Sequence, residues 1–130
     1  MEEDVGEKAL HMLNRSIKIY LLVTVAVGSL QIAVDMIVVT DGSRILGLGD
    51  LGVHGIDIPI GKLDIYVADV GMNPERVLPV MLNVGTNNQK LLEDCLYFGL
   101  RQPRLEGDDY LAIVDEFMEA IHTCWPEAII

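Results

Sequence analysis

Positive charge is scarce in this sequence: 9 lysines and arginines stand against 20 aspartates and glutamates, a formal net charge of −11. No basic stripe with interleaved aromatics runs along it, and nucleic-acid backbones are bound by clustered Lys and Arg, so a nucleic-acid partner is excluded. Cysteine is scarce too. Cys95 and Cys124 lie 29 positions apart with no CxxC and no His/Cys cluster at zinc spacing, so they read as two free thiols in a reducing compartment. His11, His54 and His122 are scattered too widely to outline a metal site or a triad, and His54 reads as an incidental loop histidine. Internal repeats and low-complexity tracts are absent. What is present is 130 residues, one domain's worth, with 51% apolar and 22% charged residues. That balance indicates a folded globular chain rather than a disordered one.

Along the chain, residues 1–16 are polar and acidic, with Ala9, Met12 and Leu13 at the spacing of a short amphipathic helix. Ile17 to Val34 then runs IKIYLLVTVAVGSLQIAV. A membrane span wants about 20 mostly apolar residues, and Gly28, Ser29 and Gln31 dilute this run. Its Val, Ile and Thr content places a buried strand or helix ahead of a membrane anchor. Glu2, Glu3, Asp4 and Glu7 do not suit a secretory or transit peptide, so no clear transit peptide is present. Met36 to Thr40 is a β-branched run ended by Asp41-Gly42, as in a fully buried strand. Pro59 suits a first helical position, with Leu63, Tyr66, Val67 and Val70 at helical spacing until Gly71. Val77 to Val84 reads as a second buried strand in which Pro79 cautions against a central position. Gly85 to Asn88 makes a turn, and Lys90 to Gly99 a short helix plus loop. The clearest helix spans Asp108 to His122, with Tyr110, Ile113, Val114, Phe117, Met118 and Ile121 on one face and Asp108 as its cap. The order strand, helix, strand, helix predicts an α/β fold with buried parallel strands.

Between the first strand and the Pro59 helix lies DGSRILGLGDLGVHGIDIPIGK, Asp41 to Lys62, with Gly42, Gly47, Gly49, Gly52, Gly55 and Gly61. Glycine costs more backbone entropy on folding than any other residue, so such density points to tight turns or close approach to a ligand. Gly47-Leu48-Gly49-Asp50-Leu51-Gly52 formally matches GxGxxG, with Asp69 positioned 20 residues after Gly49. The context does not suit a dinucleotide fingerprint, because 6 residues separate Thr40 from Gly47, and Gly55, Asp57 and Pro59 interrupt any helix beyond Gly52. A P-loop is excluded because no GK[ST] follows. Arg44 stands at the foot of the strand, where ligands of α/β domains gather, and arginine suits a carboxylate. Lys62 falls in the first turn expected for the Pro59 helix. There the macrodipole disfavours a cation, which makes it a candidate general base with a lowered pKa. An ordinary surface lysine is the competing reading.

The runs VVTDGSRILGLGDLG, IPIGKLDIYVADVGMNPERVLPVMLNVGTNNQKLL and YFGLRQPRLEGDDY closely resemble the malic enzyme family. The resemblance covers about Val34 to the end, and DMIVVTDGSRILGLGDLG with DEFMEAIHTCWPEAII looks most like its NAD-dependent, mitochondrial type. It implies part of the N-terminal substrate domain over residues 35–130, preceded by an atypical segment, 1–34, whose run 17–34 looks foreign to the family. It also implies oxidation of L-malate with NAD, decarboxylation aided by Mg²⁺ or Mn²⁺ and release of pyruvate, in the mitochondrial matrix. Lys62 matches the family base that takes the malate hydroxyl proton. Arg44 matches the arginine on the substrate carboxylate and the nicotinamide side, hence both substrate- and cofactor-binding.

The family tyrosine acid, the metal ligands and the NAD domain have no counterpart here, and Tyr20 stands in unrelated sequence. The metal-binding Glu-Asp pair is expected just past Ile130. Asp57 replaces the usual glycine, Asn83 an aspartate and Cys95 a proline. Asp57 is the most disruptive of these, a charge expected in a tight loop near Lys62. Taken alone, the chain is expected to be inactive. The alternative is a non-catalytic fragment docking with full-length malic enzyme subunits as a homo- or hetero-oligomer; malate is the implied ligand, and a membrane is not an expected partner.

Overall fold

The computed structural model describes residues 20, 21 and 33–130. The expected helix within 1–16 and most of the apolar run 17–34 therefore lie outside the described residues.

Three strands form the sheet, in the order β1 (Tyr20–Leu21), β3 (Val77–Asn83), β2 (Met36–Thr40). The β-branched runs expected to be buried strands are the two long ones, and they pair in parallel from Met36 opposite Val77 to Thr40 opposite Met81. Parallel pairing needs both faces covered, and both are. On β3, successive side chains point to opposite faces. Leu78, Val80 and Leu82 join Ile37 in one cluster with Ile113, Phe117 and Ile121, while Met81 joins Val53 and Tyr97 in a second. β1 runs antiparallel to β3, with Tyr20 opposite Asn83 and Leu21 opposite Leu82, so the sheet is mixed.

Pro79 occupies the middle strand after all, opposite Val38. It is tolerated because β1 reaches only Leu82 and Asn83. At Pro79, β3 therefore has a neighbour on one edge alone among the described residues, and the missing N–H breaks no ladder on the other. The far edge of β2 receives the end of the chain: Ile37 N–H donates to the Ile129 carbonyl (2.7 Å), and Ile129 N–H to the Asp35 carbonyl (2.9 Å).

Helix α1 (Asp57–Ile65) begins two residues before Pro59, because a 3-10 turn over Gly52–Ile56 runs directly into it. Pro59 is its third residue, still among the first four N–H positions that have no intrahelical acceptor. It is fully buried. A π-turn (Tyr66–Val70) continues the helix until Gly71, in the left-handed region at φ 76°, stops it. A short helix α2 (Gln89–Glu93) starts where the Asn88 side chain accepts from Lys90 N–H. Helix α3 (Gly107–Cys124) lays Ile113, Phe117 and Ile121 on the sheet, with Tyr110, Val114 and Met118 packed beside them. The cap is Glu106 rather than Asp108. Asp108 and Asp109 sit in the first turn, where negative charge meets the positive end of the helix dipole. Trp125 closes the helix.

Candidate functional site

At the C-terminal end of β2 an open cleft of about 380 Å³ is lined by Thr40, Arg44, Ile45, Ile58, Pro59 and Lys62 among others. That volume lies in the range of small-molecule sites. Arg44 and Lys62 are brought together here from separate elements. Both side chains are exposed, and neither is hydrogen-bonded or ion-paired to another described residue.

Lys62 does not stand where its sequence argument put it. It is the sixth residue of α1 and belongs to the last turn. The positive field of a helix N-terminus dies away within the first turn, so the dipole reason for suspecting Lys62 fails, while its place in the cleft remains. Asp57 is likewise not in a tight loop. It opens α1, exposed and favourably placed against the helix dipole.

The first half of the glycine-rich stretch, Asp41 to Leu51, is a loop closed at its neck by Leu51 N–H on the Gly42 carbonyl (2.9 Å). Asp41 turns the chain out of β2 by accepting from Ser43 N–H (2.9 Å) and from the Ser43 hydroxyl (2.6 Å). Ile45 and Gly49 pair across the tip. Gly47 and Gly49 of the apparent GxGxxG lie in that exposed tip, past the strand and before any helix, so no dinucleotide fingerprint is built. Gly42 and Gly52 are where glycine is required. Both have positive φ, and a Cβ on Gly42 would meet the Gly52 carbonyl oxygen, while one on Gly52 would meet the Tyr97 hydroxyl. Tyr97 is buried and accepts from Val53 N–H (3.1 Å), which pins the start of the 3-10 turn.

Sequence reasoning missed the charged centre beneath this loop. Arg104 is 8% exposed. Its Nη2 donates to Asp50 Oδ1 (2.7 Å), its Nε to Asp50 Oδ2 (3.3 Å) and its Nη1 to the Asp41 carbonyl (2.8 Å). Asp50 also accepts from Gly52 N–H (2.9 Å), the Thr86 hydroxyl (3.0 Å) and Asn87 N–H (2.9 Å). Burial pushes the Asp50 carboxyl upward, but Arg104 and the Asn87, Gly52 and Thr86 donors outweigh it and hold the group below its usual 3.8. In Asp41 burial again works upward, and Ser43, Arg104 and Tyr110 bring the net shift below 3.8. Tyr110 moves the opposite way, raised by burial and by the neighbouring Asp41 charge. Asp50 had counted only as a variable position in GxGxxG. The one signal for Arg104 was its place in YFGLRQPRLEGDDY.

Among the described residues no group of three or more His, Cys, Asp or Glu side chains could hold a metal ion. No described helix is long and apolar enough to cross a membrane.

An arginine and a lysine thus meet at a strand's C-terminal end in an α/β domain, the place where ligands of such domains gather. The family model for the malic enzyme N-terminal domain matches residues 10–130, so the chain belongs to the malic enzyme family. It is 78% identical over 97 residues to the mitochondrial NAD-dependent malic enzyme 59 kDa isoform of Solanum tuberosum, and 73% identical to NAD-dependent malic enzyme 2, mitochondrial, of Arabidopsis thaliana. Against the NAD-dependent malic enzyme of Salmonella arizonae (strain ATCC BAA-731 / CDC346-86 / RSK2980) the identity is 56%. Each match covers 75% of this chain; the chain spans 16% of the length of the two plant relatives and 17% of the bacterial one.

Proposed function

We propose that this chain carries the substrate side of an NAD-dependent malic enzyme, which oxidises L-malate and decarboxylates the product to pyruvate and CO₂. The observation that carries the reading is the convergence of Arg44 and Lys62 on one cleft, with no described carboxylate engaging either. Arg44 presents a planar fork that fits a carboxylate in two parallel hydrogen bonds. With malate bound there against β2, Lys62 is the group of this cleft that serves as the base for its hydroxyl proton. The family resemblance also assigns Arg44 to the nicotinamide side of the substrate.

The described residues do not fit the Mg²⁺ or Mn²⁺ that the family resemblance implies, because no three-ligand set is assembled among them. Neither the metal nor the dinucleotide is assigned to a residue of this chain beyond Arg44. A mitochondrial location, the word carried by the names of the plant relatives, and the matrix implied by the family resemblance belong to the same proposal.

Titrating the isotope-labelled chain with L-malate tests the site. Amide shifts are expected over Thr40 to Leu46 and around Lys62, and are expected to vanish in Arg44→Gln. Shifts confined to other residues, or surviving in that variant, would sink the assignment. With malate, Mn²⁺ and NAD the isolated chain is expected to form no NADH above background.

A second reading, a non-catalytic fragment that docks with full-length malic enzyme subunits, is favoured by the apolar side chains left in solvent. Leu46 and Leu96 are 98% and 83% exposed.

A further inference from the structure

Arg44 and Lys62 reach the cleft on supports of different stiffness. Lys62 stands on α1, whose Pro59 and Leu63 are buried. Arg44 stands on a loop whose only regular feature is the Ile45–Gly49 bridge at its tip. The separation of the two cations is therefore as well defined as the neck of that loop, and beside the Leu51–Gly42 backbone hydrogen bond one side chain, Arg104, bridges its two ends.

We infer that Arg104 is a positioning residue, which sets Arg44 for the substrate carboxylate without touching the substrate itself. Its guanidinium spans the neck, grasping Asp50 with two nitrogens and the Asp41 carbonyl with the third. Asp41 and Asp50 are the first and near-last residues of the loop, so one planar group fixes both ends at once. Arg104 is itself anchored to the end of β3. Its N–H donates to Asn87 Oδ1 (3.0 Å), and Leu105 N–H donates to the Val84 carbonyl (3.0 Å). On the other side Thr86 N–H donates to the Gln102 carbonyl (3.0 Å). The mechanical path runs from the buried end of β3, through Arg104, to the loop neck and so to Arg44. Lysine cannot replace it, since an ammonium is a point donor and cannot hold a carboxylate edge and a backbone carbonyl in one plane.

The inference rests on the reading of Arg44 as the carboxylate ligand, and two measurements separate their failures. In the first, malate affinity is read for the unaltered chain, Arg44→Gln, Arg104→Gln and the double variant. Each single change is expected to weaken binding roughly tenfold, a usual coupling within a charged network, and the double variant to bind no more weakly than Arg44→Gln alone. Additive losses would mean that Arg104 acts independently of Arg44 and would overturn the inference. The second measurement needs no ligand. Amide hydrogen exchange at Ile45, Leu48, Gly49 and Leu51 is expected to quicken at least about tenfold in Arg104→Gln, with Leu63 of α1 and Ile113 of α3 unchanged. Unaltered loop rates would overturn the positioning role whatever malate does. If the unaltered chain shows no malate response while the loop loosens in the variant, the carboxylate reading of Arg44 fails and Arg104 is reduced to a structural clamp. Should Arg104→Gln not fold, Arg104→Lys is read the same way, with loop exchange expected to quicken in that variant also.

Discussion

At Asp50 a single carboxylate accepts five hydrogen bonds from four residues: two from Arg104 and one each from Gly52, Thr86 and Asn87. Hydrogen bonds to a charged acceptor are worth about 1.5–3 kcal/mol each when a partner is removed, so this residue is a concentrated point of stability. Its carboxyl, like that of Asp41, is held below 3.8 in the folded protein. The sign follows from proton counting. Near pH 3.8 the unfolded chain takes up protons that the folded chain refuses, so these two groups contribute fully above that pH. Their contribution drains away as pH falls through the lower folded values. We expect urea midpoints to be flat from pH 7 to 5 with respect to these groups and to drop below pH 4. Asp50→Asn is expected to lose about 2–3 kcal/mol at pH 7 and to show a shallower acid drop. A variant whose midpoints run parallel to those of the unaltered chain from pH 7 to 3 would show that Asp50 is not the source. This centre could not be read from sequence, because Asp50 and Arg104 are 54 positions apart. Nothing local marks an aspartate inside a glycine run as a hub.

At the scale of elements, legibility followed the range of the forces involved. Helix α3 could be read because its stripe of Tyr110, Ile113, Val114, Phe117, Met118 and Ile121 is a local pattern that packing then uses unchanged. The two parallel strands were legible for a similar reason, being short apolar runs, although only β3 is largely buried and β2 buries Ile37 alone, its other residues being half-buried. The start of α1 was not. Its position is decided by the 3-10 turn at Gly52, which is held by the hydroxyl of Tyr97, 44 positions from Val53. Pro59 was read by a rule for first helical positions, and the long-range contact moved the beginning of the helix upstream of it. Lys62 therefore reached the candidate site for a reason that its neighbours in sequence do not supply. Packing of α3 offers the direct stability test. Phe117, 5% exposed, packs in one cluster with Ile37 and the β3 side chains. Phe117→Ala is expected to cost about 3–5 kcal/mol, whereas exposed Glu119→Ala should stay within about 0.5 kcal/mol. Comparable losses from both, by chemical denaturation, would deny α3 its place on the sheet.

Taken as a whole, the molecule leaves apolar area in solvent on several sides. Leu46 and Leu48 cap the loop tip, Leu96 and Phe98 flank the buried Tyr97, and Ile65 and Val70 line the outer side of α1 and its π-turn. Isolated exposed leucines are ordinary, but soluble monomers seldom expose contiguous apolar patches beyond a few hundred Å². The net charge of −11 opposes indiscriminate clumping, which favours a specific partner over random aggregation. A chain matching 16% of the length of its plant relatives has an evident candidate, the surfaces of a full-length subunit that the corresponding segment meets. Co-expression with a full-length malic enzyme is therefore expected to yield a stable complex recovered through a tag on this chain. A doubly charged variant, Leu96→Glu with Phe98→Glu, should weaken it by at least about tenfold if these side chains are buried in the contact. A monodisperse monomer that ignores the full-length subunit would remove the docking reading and leave the strand-end cleft as the proposed function.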